Sequence, residues 1–150
     1  AQVIMTRDQK EGIYDNQGTY GQKKRQDMQR RREIIQKSNA DVLISIHMNK
    51  FPQSQYYGAQ TFYQIGSEEG KRLAMLIQAE LIRILDRGNK REAKASDYYI
   101  LKSGSMPSVI VECGFMSNPE EEQLLVQPEY QEKIAWGIYT GVMEYFASEE

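Results

Sequence analysis

Short apolar runs alternate along the chain with longer stretches in which apolar residues recur every three or four positions. Runs rich in β-branched residues predict strands, and the chain contains five of them. They cover residues 3–6, 41–46, 58–65, 98–101 and 108–111. The run at 41–46, DVLISI, is almost continuously apolar, which predicts a strand covered on both faces of its sheet.

The longer stretches predict four helices. They begin near residues 22, 68, 119 and 128. The third has a specific start, because Asn118 suits the N-cap, Pro119 suits the first helical position and Glu121 would complete a capping box. Helices that alternate with strands in this way indicate a layered α/β fold.

The composition fits one folded domain of 150 residues, with 19 Lys and Arg against 21 Asp and Glu and a formal net charge of −2. No apolar stretch is long enough to cross a membrane, which takes about 18 or more residues. Cys113 is the single cysteine, so the chain can form neither an internal disulfide nor a zinc cage of cysteines.

The small net charge conceals a polarised chain. Residues 22–37 carry seven basic and two acidic groups, whereas residues 112–150 carry nine acidic groups and one basic group. A basic block of this kind is compatible with nucleic-acid binding. No aromatic residues are interleaved with the charges, so we interpret the segment as a solvated helix face and predict no nucleic-acid partner.

Two polar residues interrupt the apolar pattern where strands are predicted to end. His47, the only histidine, follows the 41–46 run, and Glu112 follows the 108–111 run. Burying an unpaired carboxylate is costly, and a nearby cation would offset that cost. The alternative is a satisfied core histidine and a structural ion pair for the glutamate, with Arg7 or Arg91 as the partner. One His and one Glu do not make a zinc site, which normally has three protein ligands.

Three ordered motifs carry a resemblance to a known family. They read SIHMN at 45–49, GAQTFY at 58–63 and MPSVIVECGFMSNPE at 106–120. Together they resemble the zinc-dependent N-acetylmuramoyl-L-alanine amidases, and the similarity runs from residue 2 to the end of the chain. The segments 25–30 and 139–146 are most similar to the amidases of sporulation and germination, which act on spore cortex.

The resemblance implies a three-layer αβα fold with a mixed, mostly parallel sheet of about six strands in the intact family and about five here. It implies a secreted hydrolase that cleaves the amide between N-acetylmuramic acid and L-Ala of the peptidoglycan stem peptide. His47 matches a ligand of the family's Zn²⁺, and Glu112 matches its general base. Asn49 and Arg91 are candidates for substrate binding. The alternatives are a turn residue for Asn49 and a solvated loop cation for Arg91.

The sequence also departs from the family. It has no second histidine, and the family's first strand, His-Gly-Gly turn and Glu-bearing first helix have no counterpart. We therefore expect residues 1–150 to be a single catalytic domain truncated at its N-terminus, with the other zinc ligands in the missing segment. A peptidoglycan-binding module without catalysis is the alternative. We expect Cys113 to be a small core residue, since no second histidine is available to activate it. The sequence does not indicate whether an accessory protein is needed.

Overall fold

The computed structural model describes residues 1–148, which form four α-helices, one 3₁₀ helix and four strands. The α-helices are α1 (Tyr20–Lys37), α2 (Glu68–Leu85), α3 (Pro119–Leu125) and α4 (Pro128–Ala147). The strands are β1 (Leu43–Asn49), β2 (Gln60–Gln64), β3 (Lys94–Ser96) and β4 (Ser108–Phe115), and the 3₁₀ helix is Tyr99–Lys102. The four predicted helices are therefore confirmed.

The strands form one mixed sheet in the order β1-β4-β2-β3. β1 runs parallel to β4, β4 runs antiparallel to β2, and β2 runs parallel to β3. Two of the three strand pairs are parallel, so the prediction of a mixed, mostly parallel sheet in an α/β fold is confirmed. The sheet has four strands in the described residues, where the sequence analysis expected five.

Two predicted strands are wrong. Residues 3–6 pair with no strand, and the apolar residues 3–5 are solvent-exposed, with Val3 77% exposed. Apolar composition alone does not make a strand, because the backbone groups need a neighbouring chain to pair with. Residues 98–101 enter the 3₁₀ helix instead, where Leu101 is fully buried. The strand in this region is β3, which pairs with Phe62–Gln64 and lacks an apolar pattern.

The 41–46 run forms β1, but the expectation that both its faces are covered is wrong. β1 is an edge strand that pairs only with β4, and Ile46 is 64% exposed. On that side of the sheet α2 lies over β2 and β4. Ile44 of β1 still packs against the core, but Ile46 lies beyond it. Ile46 is consequently left at the open end of the edge strand.

Helices cover both faces of the sheet. Helices α2 and α4 pack closely on one face, because Gly141 lies directly over the backbone of Ile77 and Gly137 lies over Leu81. On the other face, Phe62 of β2 contacts Tyr98 at the start of the 3₁₀ helix. The C-terminal end of α1 lies beside that 3₁₀ segment, where Ile35 is buried close to Gly104. This arrangement confirms the predicted αβα layering.

Candidate functional site

Three polar side chains form a row across neighbouring strands of the sheet. His47 of β1 is directly opposite Glu112 of β4 in the parallel register. Glu112 is in turn opposite Gln60 of β2 in the antiparallel register. Residues that face each other across strands point to the same side of a sheet. We call this set, His47, Glu112 and Gln60, the polar row.

The polar row lies on the side of the sheet that faces away from α2 and α4. Thr61 fixes this orientation, because its hydroxyl donates to the carbonyl of Ala74 in α2 at 3.0 Å. Successive side chains of a strand alternate between faces, so Gln60 points the other way. Thin cover on that side leaves His47 exposed, while Gln60 is only 4% exposed.

Glu112 has the environment of a reactive carboxylate. Its Oε2 is buried and has no hydrogen-bond partner in residues 1–148. Burial raises the pKa of Glu112 above its usual value. An unpartnered buried oxygen is uncommon and costly, and on a carboxylate with a raised pKa it is typical of a group that takes up or releases a proton.

His47 is suited to bind a metal ion as a neutral imidazole. Its Nε2 lies 3.0 Å from the hydroxyl of Ser45 on the same strand. Although the residue as a whole is exposed, desolvation of its ring by neighbouring atoms, and then the positive charge of Arg31, lower the pKa of His47. A neutral imidazole is the form that ligates a metal ion.

The structure corrects the expected surroundings of both residues. His47 and Glu112 were predicted to end buried strands, but both lie within longer strands, and His47 is exposed. Neither predicted arginine pairs with Glu112. The guanidinium of Arg7 donates to the carbonyl of Lys10, and Arg91 bonds to groups on β2 and the preceding loop. The structural ion pair is therefore absent, and the buried carboxylate stays uncompensated within the described residues.

The donor set fits part of the zinc site that the resemblance implies. His47 offers one ligand, and the unpartnered Oε2 of Glu112 lies on the neighbouring strand, where a nearby cation would offset its burial. No group of three or more His, Cys, Asp or Glu side chains that could hold a metal ion occurs in residues 1–148. The described residues thus do not complete a zinc site.

Asn49 lies at the irregular end of β1, where the register with β4 shifts. Its Oδ1 accepts the backbone N–H of Lys50 at 2.8 Å, and its carbonyl accepts the N–H of Met116 at 2.8 Å. These bonds are typical of a residue that shapes a strand end. The substrate-binding role of Asn49 stays a prediction.

Arg91 is held against the polar row rather than lying free in solvent. Its Nε donates to the carbonyl of Tyr57 at 2.7 Å, and its Nη1 donates to Oε1 of Gln60 at 3.1 Å. The guanidinium also lies 4.6 Å from the ring centroid of Phe115. This geometry contradicts the alternative of a solvated loop cation, while the substrate contact itself stays a prediction.

Aromatic side chains surround Arg91 at the ends of β1 and β4. The Tyr56 ring stacks at 6.2 Å on Phe115 and meets Phe51 edge-on at 5.1 Å. Tyr56 and Phe51 are 39% and 46% exposed, so they form an apolar wall beside the polar row that remains open to a ligand.

Cys113 follows Glu112 in β4 but points to the opposite face, into the core beneath α2 and α4. Burial, and next the charge of Glu112, raise the pKa of the Cys113 thiol to about 12. A thiol that stays protonated and buried is not a nucleophile, which agrees with the expected core role.

Two residues of the site region escaped the sequence analysis. Gln60 was counted only as part of a strand pattern, although it is the cross-strand neighbour of Glu112 and bonds Arg91. Glu121 was assigned to a capping box, but its carboxylate instead accepts the N–H groups of Gly58 at 2.9 Å and Phe115 at 2.7 Å. The N-cap itself is confirmed, with Asn118 Oδ1 accepting from residues 120 and 121. A glutamate in the sequence GFMSNPEE has no feature that distinguishes a buried carboxylate from an exposed one.

Comparisons with known proteins agree with this geometry. Residues 1–144 match the family model described as N-acetylmuramoyl-L-alanine amidase. The germination-specific N-acetylmuramoyl-L-alanine amidase of Bacillus subtilis is 37% identical over 148 residues, which cover 97% of this chain and 62% of that protein. The N-acetylmuramoyl-L-alanine amidase LytC of Bacillus subtilis is 36% identical over 114 residues, covering 73% of this chain and 22% of that protein.

Solved structures show the same relationship. The CwlD amidase from Clostridioides difficile, in complex with the GerS lipoprotein, is 46% identical with a TM-score of 0.94, covering 97% of this chain and 75% of that chain. AmiC2 of Nostoc punctiforme, an N-acetylmuramoyl-L-alanine amidase, is 30% identical with a TM-score of 0.72, covering 79% of this chain and 65% of that chain. No helix within residues 1–148 is both long and apolar enough to span a membrane.

Proposed function

We propose, since this chain belongs to the N-acetylmuramoyl-L-alanine amidase family, that it hydrolyses the amide between N-acetylmuramic acid and L-Ala of the stem peptide in peptidoglycan. The observation that supports this most directly is the buried, unpartnered Oε2 of Glu112 beside the imidazole of His47. A protein that only bound peptidoglycan would have no need of a carboxylate kept without a partner at this position.

In the proposed reaction Glu112 moves the proton. Its Oε2 accepts a proton from the water that attacks the carbonyl carbon of the lactyl amide. As the carbon–nitrogen bond breaks, the same oxygen gives the proton to the departing amine of L-Ala. The raised pKa of Glu112 suits this exchange, because a carboxyl group whose pKa lies closer to neutral pH takes up and returns a proton readily.

His47 would hold a zinc ion as one of its ligands, with the remaining ligands supplied by residues outside the described part of the chain. When bound, zinc supplies polarisation of the carbonyl group and stabilisation of negative charge. Arg91 bonds Gln60 on the far side of Glu112 from His47, where it would contact the stem peptide. Asn49 is proposed to orient the substrate through its amide group.

The relatives suggest where the protein acts. The similarity to a germination-specific amidase supports a role in spore cortex, with action outside the cytoplasmic membrane, where peptidoglycan lies. The CwlD relative forms a complex with a lipoprotein, so we propose an accessory lipoprotein as a partner for the full protein. We also propose that residues 1–150 act as one domain of that protein.

The test compares this chain with the full product of its gene. Zinc content and cleavage of a muramyl peptide are measured for both, and then for Glu112→Gln in the active form. We expect Glu112→Gln to keep its zinc and lose at least about 100-fold in kcat. Glu122→Gln, an exposed carboxylate on α3, is the matched control and should keep full activity.

The competing proposal, a peptidoglycan-binding module without catalysis, predicts a different result. In that case the full gene product would bind peptidoglycan without holding zinc or cleaving it. Cleavage that persists in Glu112→Gln would instead show that the proton carrier is another residue.

A further inference from the structure

Arg91 has the fixed position of a ligand-binding arginine. Two hydrogen bonds, to the Tyr57 carbonyl and to Gln60, orient its guanidinium, and the Phe115 ring supports it at 4.6 Å. A solvated arginine would pay a large entropic cost when it binds a ligand, since its long side chain samples many rotamers. Here contacts within the chain already hold the side chain in one orientation.

Arg91 also lacks an acidic partner. Among residues 1–148, the ion pairs join other side chains, and no carboxylate lies within 4.0 Å of the Arg91 guanidinium. An arginine has five N–H donors, and the described residues occupy two of those of Arg91. The remaining donors form the flat, forked array that matches a carboxylate.

The backbone around Arg91 is fixed by a separate set of contacts. Asn89 is buried, and its Oδ1 accepts the backbone N–H of Arg91 at 3.0 Å while its Nδ2 donates to Ala59 at 2.7 Å. The Asn89 amide lies against Gly58, where a Cβ would lie 2.6 Å from the Asn89 Cγ. Gly58 has φ of +92°, so it needs glycine for its conformation as well as for space.

The distance from Arg91 to Glu112 suits a peptide substrate. Gln60, which bonds Arg91, is the cross-strand neighbour of Glu112. Cross-strand neighbours have Cβ atoms about 5 Å apart, and the guanidinium bonds the far end of the Gln60 side chain. A peptide of two or three extended residues, at about 3.5 Å per residue, spans a separation of this order. A substrate with its scissile amide at Glu112 would therefore bring the second residue of the stem peptide within reach of Arg91.

We propose that Arg91 binds a carboxylate of the stem peptide and makes the protein prefer stems whose second residue, γ-linked D-glutamate, has a free α-carboxylate. This inference rests on the proposed function. An amidated stem is disfavoured because its carboxamide is neutral and offers the guanidinium one acceptor oxygen and an NH₂ donor in place of two acceptor oxygens. Asn89 and Gln60 are positioning residues for Arg91.

The test uses two ligands that differ at one group. One is N-acetylmuramoyl-L-alanyl-γ-D-glutamyl-L-lysinamide, and the other is the same compound with the α-carboxylate of D-glutamate converted to a carboxamide, so that in both the γ-carboxyl group is used in the amide bond to lysine. Their affinities are measured by calorimetry on the zinc-loaded full gene product carrying Glu112→Gln, so that turnover does not consume the ligand. We expect the carboxylate ligand to bind at least about tenfold more tightly, as is typical of a charge-assisted hydrogen bond.

Variants at Arg91 identify the group responsible. In Arg91→Gln the preference should fall below about twofold, and in Arg91→Lys it should be intermediate, because lysine keeps the charge and loses the fork. Lys90→Gln is the matched control, since Lys90 is an exposed neighbouring cation, and it should keep the full preference. Thermal unfolding of each variant shows that the fold is kept, and Arg91→Lys gives a second test if Arg91→Gln is unstable.

Equal binding of the two ligands by the protein with Arg91 intact would overturn this inference, as would a preference that survives in Arg91→Gln. Turnover of the same ligands by the protein with Glu112 intact separates the two proposals. Preferential binding without cleavage of either ligand would contradict the hydrolase and leave the carboxylate subsite supported. Cleavage of both ligands with equal kcat/KM would support the hydrolase and contradict the subsite.

Discussion

Glu121 offers the sharpest test of how the site region is held together. Its side chain is 1% exposed, and its two carboxylate oxygens accept the backbone N–H groups of Gly58 and Phe115. These bonds join the loop before β2, the end of β4 and the start of α3. Replacing Glu121 with Gln keeps the shape of the side chain and removes its charge.

The expected cost follows from the two bonds. The amide oxygen of Gln can accept one N–H, but its NH₂ group would then face the other N–H donor, which stays buried without a partner. An unsatisfied buried donor costs about 1–3 kcal/mol, and hydrogen bonds to a charged group are worth about 1.5–3 kcal/mol each. Relief from burying a charge offsets part of this loss. We expect Glu121→Gln to lower the free energy of unfolding by about 2–4 kcal/mol.

Urea unfolding, followed by circular dichroism, measures this change. For a chain of this length the loss corresponds to a fall in Tm of roughly 5–15 °C. Glu122→Gln, at the exposed neighbouring position, is the control and should change stability by less than about 0.5 kcal/mol. If Glu121→Gln lost less than about 1 kcal/mol while the control behaved as expected, the two hydrogen bonds would not stabilise the fold as argued here.

Three further expectations follow from the packing and from the pKa shifts. Gly141→Ala places a Cβ 2.6 Å from the Cα of Ile77 and should lower the free energy of unfolding in urea by at least about 2 kcal/mol. In the control, Gly21→Ala on α1, the new Cβ meets nothing within 4 Å and should raise that free energy by about 0.5–1 kcal/mol. Equal effects of the two changes would contradict the close packing of α2 on α4. Cys113 should react with a thiol reagent at pH 8 only as fast as the protein unfolds, because burial raises its pKa to about 12, and rapid labelling of the folded protein would show that the thiol is accessible. Burial raises the pKa of Glu112 in the folded state, so in metal-free protein the folded state binds the extra proton and stability should fall as pH rises above the usual carboxyl pKa; Glu112→Gln should lack this fall, and parallel pH profiles for the two proteins would refute the assignment.

Local signals in the sequence were enough to predict the elements with strong periodicity or caps. The helix after Ser67 and the helix from Pro128 appear as expected, because each combines a start signal with apolar residues at helical spacing. Residues 3–6 and 98–101 were misread as strands, since a strand depends on a partner that the local sequence does not contain. β3 was missed for the same reason: it exists through pairing with β2 rather than through its own composition.

In the candidate site, too, the sequence predicted only what a local signal marks. His47 and Glu112 were identified because each interrupts an apolar run, which is a local signal. The contacts of Arg91 were out of reach, since its partners Tyr57 and Gln60 are 34 and 31 residues away in the chain. Only the register of β2 against β4 brings Gln60 beside Glu112, and no periodicity in either segment sets that register.

The segment from β4 into α3 shows how the chain separates chemistry from structure. Glu112 and Glu121 are only nine positions apart, and both are removed at least partly from water. Glu121 has both oxygens bonded to backbone N–H groups, whereas Glu112 has one buried oxygen with no partner. The Glu121 carboxylate holds Phe115 and Gly58 in place. The Phe115 ring packs against the Arg91 guanidinium, and Gly58 packs against Asn89, which bonds the backbone of Arg91. The hydrogen bonds of Glu121 therefore stabilise the residues around Arg91. The unpartnered oxygen of Glu112 remains available for proton transfer.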